Sequence, residues 1–266
     1  MAKALSALLG TSGAVWLFLH RRTQAAELEN EQSINKMWDF NWDRRSPENM
    51  RKPAKKLETD SGKAVDKPEK PTASRHLIFI RHGQYDLKPS DDKLRCLTEL
   101  GRSQATLTGQ RLKEFDKPYT RLVVSTLTRA RETTNIICGF LPDVSVETCE
   151  MLAEGAPCHP EPPSHNWKPE HYQFFQDGAR IEAAFRKFFY RADVDQKEDS
   201  YEIFVGHSNV IRYFVCRALQ LPPESWLRIS LANCSVTRLT IRPSGRVSLQ
   251  SLGDAGHLPP DKITYN

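Results

Sequence analysis

The sequence predicts an α/β fold for residues 75–266, a three-layer sandwich whose mostly parallel central sheet is flanked by helices. Three observations lead there. Short apolar runs with the length of buried strands recur at residues 76–80, 122–124 and 201–205. A segment of helical periodicity follows each run, and strands alternating with helices imply a parallel sheet covered on its faces. At or just beyond the carboxyl end of each run stands a side chain able to meet negative charge: Arg81 and His82, then Arg129, then His207.

Taken in order, residues 77–85 read LIFIRHGQY, four apolar residues running straight into Arg81, His82 and Gly83. Thr98 and Glu99 then open a helix with Ala105, Thr108, Leu112 and Phe115 on one face. The second run leads into Ser125-Thr126-Leu127-Thr128-Arg129-Ala130, where small hydroxyl residues suit a helix start, and Ile136 and Ile137 continue the apolar face. In the third unit Gly206-His207-Ser208-Asn209 forms a turn with a capping residue, followed by a helical stripe of Val210, Phe214 and Ala218. The last two runs, 235–241 and 247–252, alternate around Pro243-Ser244-Gly245 and read as a hairpin beside the sheet, expected to help an interface or to pack on the core.

Ahead of the domain the chain changes character. Residues 4–19 carry no charge and are rich in Leu, Ala and Val, with Lys3 before them and Arg21 and Arg22 after. The run is slightly shorter than the roughly 20 residues that cross a hydrocarbon core, so residues 1–26 read as a membrane anchor or as a removable targeting segment. Gly10 and Gly13 weaken its helix and favour cleavage within a membrane. Residues 27–74 are polar, with Pro47, Pro53, Pro68 and Pro71, and read as a flexible linker. One island interrupts it: WDFNWD at residues 38–43 sets three aromatic rings within five residues. Large rings in a solvated segment dock on something, either a neighbouring molecule or their own domain.

Charge and cysteine usage narrow the function classes. Residues 1–74 hold 13 basic and 10 acidic residues, +3 of the overall +5, so the basic excess lies mostly outside the fold and no nucleic-acid face is expected. The six cysteines follow no C-x-x-C or zinc spacing and are expected to be reduced and structural.

In parallel sheets ligands bind beyond the carboxyl ends of the strands. Four cationic or potentially cationic groups gathered there cost energy unless an anion neutralises them, and the helix N-termini add backbone donors. Phosphate is the natural occupant. His20, His76, His159, His165, His171 and His257 lack this placement and read as surface or packing residues. With no P-loop, no Asp-rich metal cluster and no Cys-x5-Arg loop in the sequence, imidazole is left as the nucleophile, gripped substrate oxygens falling to the planar guanidinium forks. No metal and no cofactor is expected. The leaving alkoxide needs a proton, and Glu147, Glu150 and Glu154 are all available in SVETCEMLAEGAP; Glu154 stands beside Gly155 in a loop from which a side chain can reach a mouth.

RHG at 81–83, LTELGRSQA at 97–105, STLTRARET at 125–133, LAEG at 152–155 and GHSNVIR at 206–212 together resemble the histidine phosphatase superfamily, also called the phosphoglycerate mutase-like family. The resemblance covers about residues 75–252. WDFNWD in the linker, GAPCHPEPPSHNWKPE, DGARIEAAFRKFFYRAD and the terminal LGDAGHLPPDKIT are similar to the mitochondrial serine/threonine-protein phosphatases of that superfamily, which lack mutase activity. The resemblance implies that His82 is the phosphorylated nucleophile, that Arg81 and Arg129 clamp the phosphoryl oxygens, that His207 completes the pocket and that Glu154 donates the proton. It also implies anchoring on a mitochondrial membrane, a homodimer, and higher homo-oligomers joined and activated through Trp38, Asp39, Asn41, Trp42 and Asp43. Gln84-Tyr85 departs from the family pattern, in which a Ser or Thr stands at the second position. Three functions are therefore expected, in this order: a phosphatase for phosphoserine or phosphothreonine in proteins, a small-metabolite phosphatase or mutase, and a membrane-tethered scaffold.

Overall fold

A computed structural model of the chain describes residues 38–47, 49–50 and 69–265. The expected membrane segment, residues 1–26, lies outside the described residues; among the described ones no helix is long and apolar enough to cross a membrane. The chain divides into two compact units, one ending at Phe40 and one from Asn41 onward. In the first, Trp38 and Phe40 meet edge to face at 6.5 Å.

The second unit is the sandwich. Its sheet has six strands in the order β3-β2-β4-β1-β5-β6, where β1 is Arg75–Arg81, β2 Tyr119–Ser125, β3 Val146–Cys149, β4 Ser200–Gly206, β5 Val236–Ile241 and β6 Val247–Asp254. The first four run parallel, and β5 and β6 add an antiparallel hairpin on the free side of β1, so the sheet is mixed. The hairpin is thus part of the sheet, with Leu239 and Ile241 fully buried. Strand β3 had no periodic signal: Val146, Glu147 and Thr148 are exposed on an edge strand and only Cys149 is buried.

Four helices complete the layers: α1 is Glu99–Glu114, α2 Thr128–Cys138, α3 His171–Phe188 and α4 Ser208–Ala218. Thr98 caps α1 by accepting a hydrogen bond from the Gly101 amide, as its hydroxyl at the helix start predicts. On one face Leu112 of α1 and Ala130 and Ile137 of α2 pack with Ile78, Ile80, Leu122, Val124, Ile203 and Val205. Alternation along each strand sends the neighbouring residues to the opposite face. There Phe79 and Phe204 stack at 4.9 Å and meet Phe188 of α3 and Phe214 of α4. Helix α2 starts at Thr128, inside the hydroxyl run, and α3 begins at His171, well before the segment DGARIEAAFRKFFYRAD. A capping box explains the latter: Glu170 and Gln173 satisfy each other's backbone.

The composition assigns residues 41–47 to the linker, but the structure lays them on the domain. Asn41 Oδ1 accepts from the Ser46 amide and Asp43 Oδ1 from the Arg45 amide, folding a compact turn. Trp42 donates its indole N–H to Gly245 O at 2.7 Å and leans on Phe185 of α3 at 6.1 Å. Asp43 accepts from both the backbone and the guanidinium of Arg191, and the two side chains are 0 and 4% exposed. Of the two dockings open to the aromatic island, Trp42 and Asp43 adopt the one on their own domain. The physical reason is a buried, hydrogen-bonded charge pair, whose carboxylate needs Arg191 because burial alone would penalise it.

Candidate active site

Register brings the site together. In β1 and β4 Arg81 pairs with Gly206, and β2 follows β4 with Val124 opposite Val205, so the next residues, His82, His207 and Ser125, emerge side by side. The His82 amide continues the ladder by donating to Gly206 O at 3.0 Å. The loop after β1 lies tight on the start of α1, where a Cβ on Gly101 would collide with the Gln84 carbonyl. It is pinned further by the Gly83 amide on Thr133 Oγ1 and the Gln84 amide on Gln104 Oε1.

His82 is buried and its Nδ1 lies 2.8 Å from Gly83 O, which assigns the proton to Nδ1 and leaves Nε2 with its lone pair. Burial, reinforced by Arg81 and Arg129, holds its pKa well below the ordinary imidazole value, so the ring is neutral at pH 7. His207, fully buried, sits with its ring 5.1 Å from that of His82 and engages Ser125 Oγ through Nε2 at 2.8 Å. Burial, then His82 and the two arginines, depress it in the same way. Tyr85 joins the other half: its ring meets His82 edge-on at 5.0 Å and covers the Arg129 guanidinium at 4.7 Å.

Each arginine is held by a different device. Arg81 donates through Nη1 to Leu231 O and Tyr265 O, and burial lowers its pKa to about 10, leaving it charged. Arg129 donates through Nη1 to Asp92 Oδ1 at 2.6 Å. The loop between α4 and β5 supports the floor, with Asn233 Nδ2 on His82 O and the Cys234 amide on Arg81 O. Cys234 there takes a left-handed backbone at φ +57°, strain of the kind stored at functional sites.

Glu154 is the carboxyl that reaches the cluster. Burial drives its pKa up against the opposing pull of the Gly155 amide, Arg129 and Arg81, and Ser208 Oγ lies 3.5 Å from Oε2. Glu147 is instead an edge-strand residue paired with Arg121 and Lys187, and Glu150 is exposed. The four residues expected at the strand ends and Glu154 therefore lie in one constellation, while Glu147 and Glu150 lie outside it. Among the described residues no group of three or more His, Cys, Asp or Glu side chains is placed to hold a metal ion.

Several participants had no signal in the sequence. Asp92, Asn233 and the carbonyls of Leu231 and Tyr265 act through long-range contacts that no local pattern announces. Ser125 and Thr133 lie inside STLTRARET but read there as cap and helix residues. Arg212 closes GHSNVIR with no signal of its own; it feels Glu154 electrostatically and its Nε is buried with no hydrogen-bond partner among the described residues. Arg129 Nε and His207 Nδ1 share that condition. Buried polar atoms are nearly always satisfied, so donors left over suit an anionic ligand with several acceptor oxygens.

Residues 77–254 match the family model of the histidine phosphatase superfamily (branch 1). The chain is 54% identical over 233 residues to the human serine/threonine-protein phosphatase PGAM5, mitochondrial, covering 86% of this chain and 80% of that protein. The Caenorhabditis elegans protein of the same name is 49% identical over 231 residues, with 86 and 80% covered. Among solved structures, a phosphoglycerate mutase from Plasmodium falciparum superposes with a TM-score of 0.51 at 33% identity, over 73% of this chain and 99% of that one. With the matched segment running from β1 through β6, the chain belongs to the histidine phosphatase superfamily.

Proposed function

We propose that the protein is a serine/threonine phosphoprotein phosphatase that works through a phosphohistidine intermediate. One observation carries the reading: a neutral, buried His82 whose Nδ1 is committed to Gly83 O, leaving Nε2 its lone pair, in a cluster with Arg81, Arg129 and His207. Nε2 attacks phosphorus in line, forming the N–P bond as the P–O bond to the substrate breaks. Guanidinium forks neutralise the oxygens and His207 adds a hydrogen bond through Nδ1, the larger part of catalysis in phosphoryl transfer. Protonated Glu154 gives its proton to the departing alkoxide, then takes one from the water that attacks the phosphohistidine and releases phosphate. Its raised pKa suits the first half of that cycle.

The substrate class follows the mouse, human and Xenopus laevis relatives, each named a serine/threonine-protein phosphatase. Their names also say mitochondrial, which together with the uncharged run at residues 4–19 supports a membrane-anchored mitochondrial protein. Self-assembly through WDFNWD, as a homodimer and larger homo-oligomers, rests on the motif. The contacts Trp42 and Asp43 make within the chain are those an identical segment of a neighbour would make after exchange, a low-cost route to oligomers. A second reading, a phosphoglycerate mutase or small-metabolite phosphatase, is favoured by the Plasmodium mutase structure.

Alkaline-quench trapping tests the first reading. Incubation with a phosphoserine peptide is expected to leave an acid-labile, base-stable phosphate on the wild type and none on His82→Ala. Turnover of the peptide by His82→Ala at the wild-type rate rejects it; turnover of 3-phosphoglycerate with no hydrolysis of phosphopeptide selects the second.

A further inference from the structure

A cleft of about 460 Å3 opens at Glu154, walled by Trp167, Lys168, Gln173, Asp177 and Asn209 among others. None of Arg81, His82, Arg129 and His207 is among its lining residues. That asymmetry has a stereochemical meaning. In-line transfer places the leaving oxygen opposite the attacking nitrogen, and the group that protonates it must touch it. A cleft that shares Glu154 with the site, and not His82, is the space into which the leaving group extends.

The walls define what fits. Asp177 is taken by Arg180 at 2.7 Å and by the Ala156 amide, so its charge is spent. Glu154 is pushed towards its neutral form. Lys168 is exposed, with no carboxylate within ion-pair distance among the described residues, and gives the cleft its uncompensated positive charge. Asn166 and Gln173 add amide groups of the kind that meet a peptide backbone. Trp167 is fixed edge-on between Phe174 and Trp226 at 5.9 and 5.5 Å, which holds the Lys168 segment in place.

We infer that this cleft receives the peptide segment bearing the phosphorylated hydroxyl and that Lys168 selects an acidic side chain close to it. The inference rests on Glu154 being the proton donor of the proposed reaction. It is tested with the full chain on three phosphoserine peptides carrying Asp, Gln or Lys at the flanking positions, and on a small aryl phosphate. Wild type is expected to prefer the acidic over the neutral peptide in kcat/KM by about fivefold, the scale of an exposed ion pair. Lys168→Gln should erase the preference and Lys168→Glu should invert it towards the Lys peptide, with aryl phosphate hydrolysis within about twofold of wild type in both. Equal turnover of all three peptides, or an equal loss on peptide and aryl phosphate, overturns the cleft assignment alone. Hydrolysis of the aryl phosphate with no turnover of any peptide overturns it together with the protein phosphatase reading.

Discussion

Asp92 accepts a hydrogen bond from Arg129 Nη1 at 2.6 Å, fixing one arm of a guanidinium whose Nε is buried with no partner among the described residues. One carboxylate thus orients the fork and leaves its other edge for an anion. Charge-assisted bonds are worth about 1.5–3 kcal/mol, and the partial exposure of Asp92 places this one near the lower end. Asp92→Ala should therefore lower kcat/KM on a phosphopeptide about tenfold, with Asp92→Glu recovering part of it. Unchanged kinetics in the alanine variant would show that Arg129 needs no such orientation.

Tyr85 supplies a ring over Arg129 and an edge to His82 where the family pattern has a small hydroxyl residue. Because the stabilisation comes from the face of the ring, Tyr85→Phe should stay near wild type. Tyr85→Ser should lose about three- to tenfold in kcat/KM, the scale of a partly desolvated cation–π contact. A Phe variant as impaired as Ser would transfer the role to the hydroxyl.

The pH profile follows from two opposite shifts. In the proposed reaction His82 attacks as the neutral ring, and its depressed pKa moves the acid limb below the ordinary imidazole range. The same reaction needs protonated Glu154 for its first step, and the raised pKa of that carboxyl carries the alkaline loss of activity above the ordinary carboxyl range. Single-turnover phosphorylation rates should fall as pH rises through the Glu154 value, and Glu154→Gln should flatten that limb. A limb that persists in Glu154→Gln assigns it to another group.

Asp43 links the docked strap to pH-dependent stability. Burial raises its pKa, but hydrogen bonds from Arg191 and from the Arg45 amide outweigh it and hold the carboxyl below the usual value. A depressed native pKa adds stability in full above the unfolded value, and that share disappears as pH falls through the folded one. Asp43→Ala should cost about 3 kcal/mol at pH 7, the low end for breaking a buried pair, since the strap can detach locally and return Arg191 to water. Thermal melts at pH 7 and in acid measure both; a wild-type Tm at pH 7 in the variant rejects the strap as a stabilising element.

Trp38 and Trp42 should separate in mutants. Trp42 is bound to Gly245 and Phe185, so Trp42→Ala is expected to lower Tm. Trp38→Ala should leave Tm near wild type while reducing particle mass by light scattering and, with it, phosphatase activity. An unchanged mass removes Trp38 from the assembly contact.

The sequence by itself determined β1, β2, β4, β5 and β6, the helices α1, α2 and α4, and the side chains waiting at the strand ends, because a period of two or 3.6 and a capping hydroxyl are local properties of the chain. Arg81, His82, Arg129 and His207 were legible for that reason, and Glu154 only as one of three. The tertiary structure alone decided that β3 exists on an exposed edge, that Glu147 and Glu150 face away, and that Trp42 and Asp43 lie on their own domain. It also paired Asp92 with Arg129, Ser125 with His207 and Asn233 with the His82 backbone. Those pairs join residues 37, 82 and 151 positions apart, and contacts across such distances are fixed by strand register and burial, which no local pattern encodes.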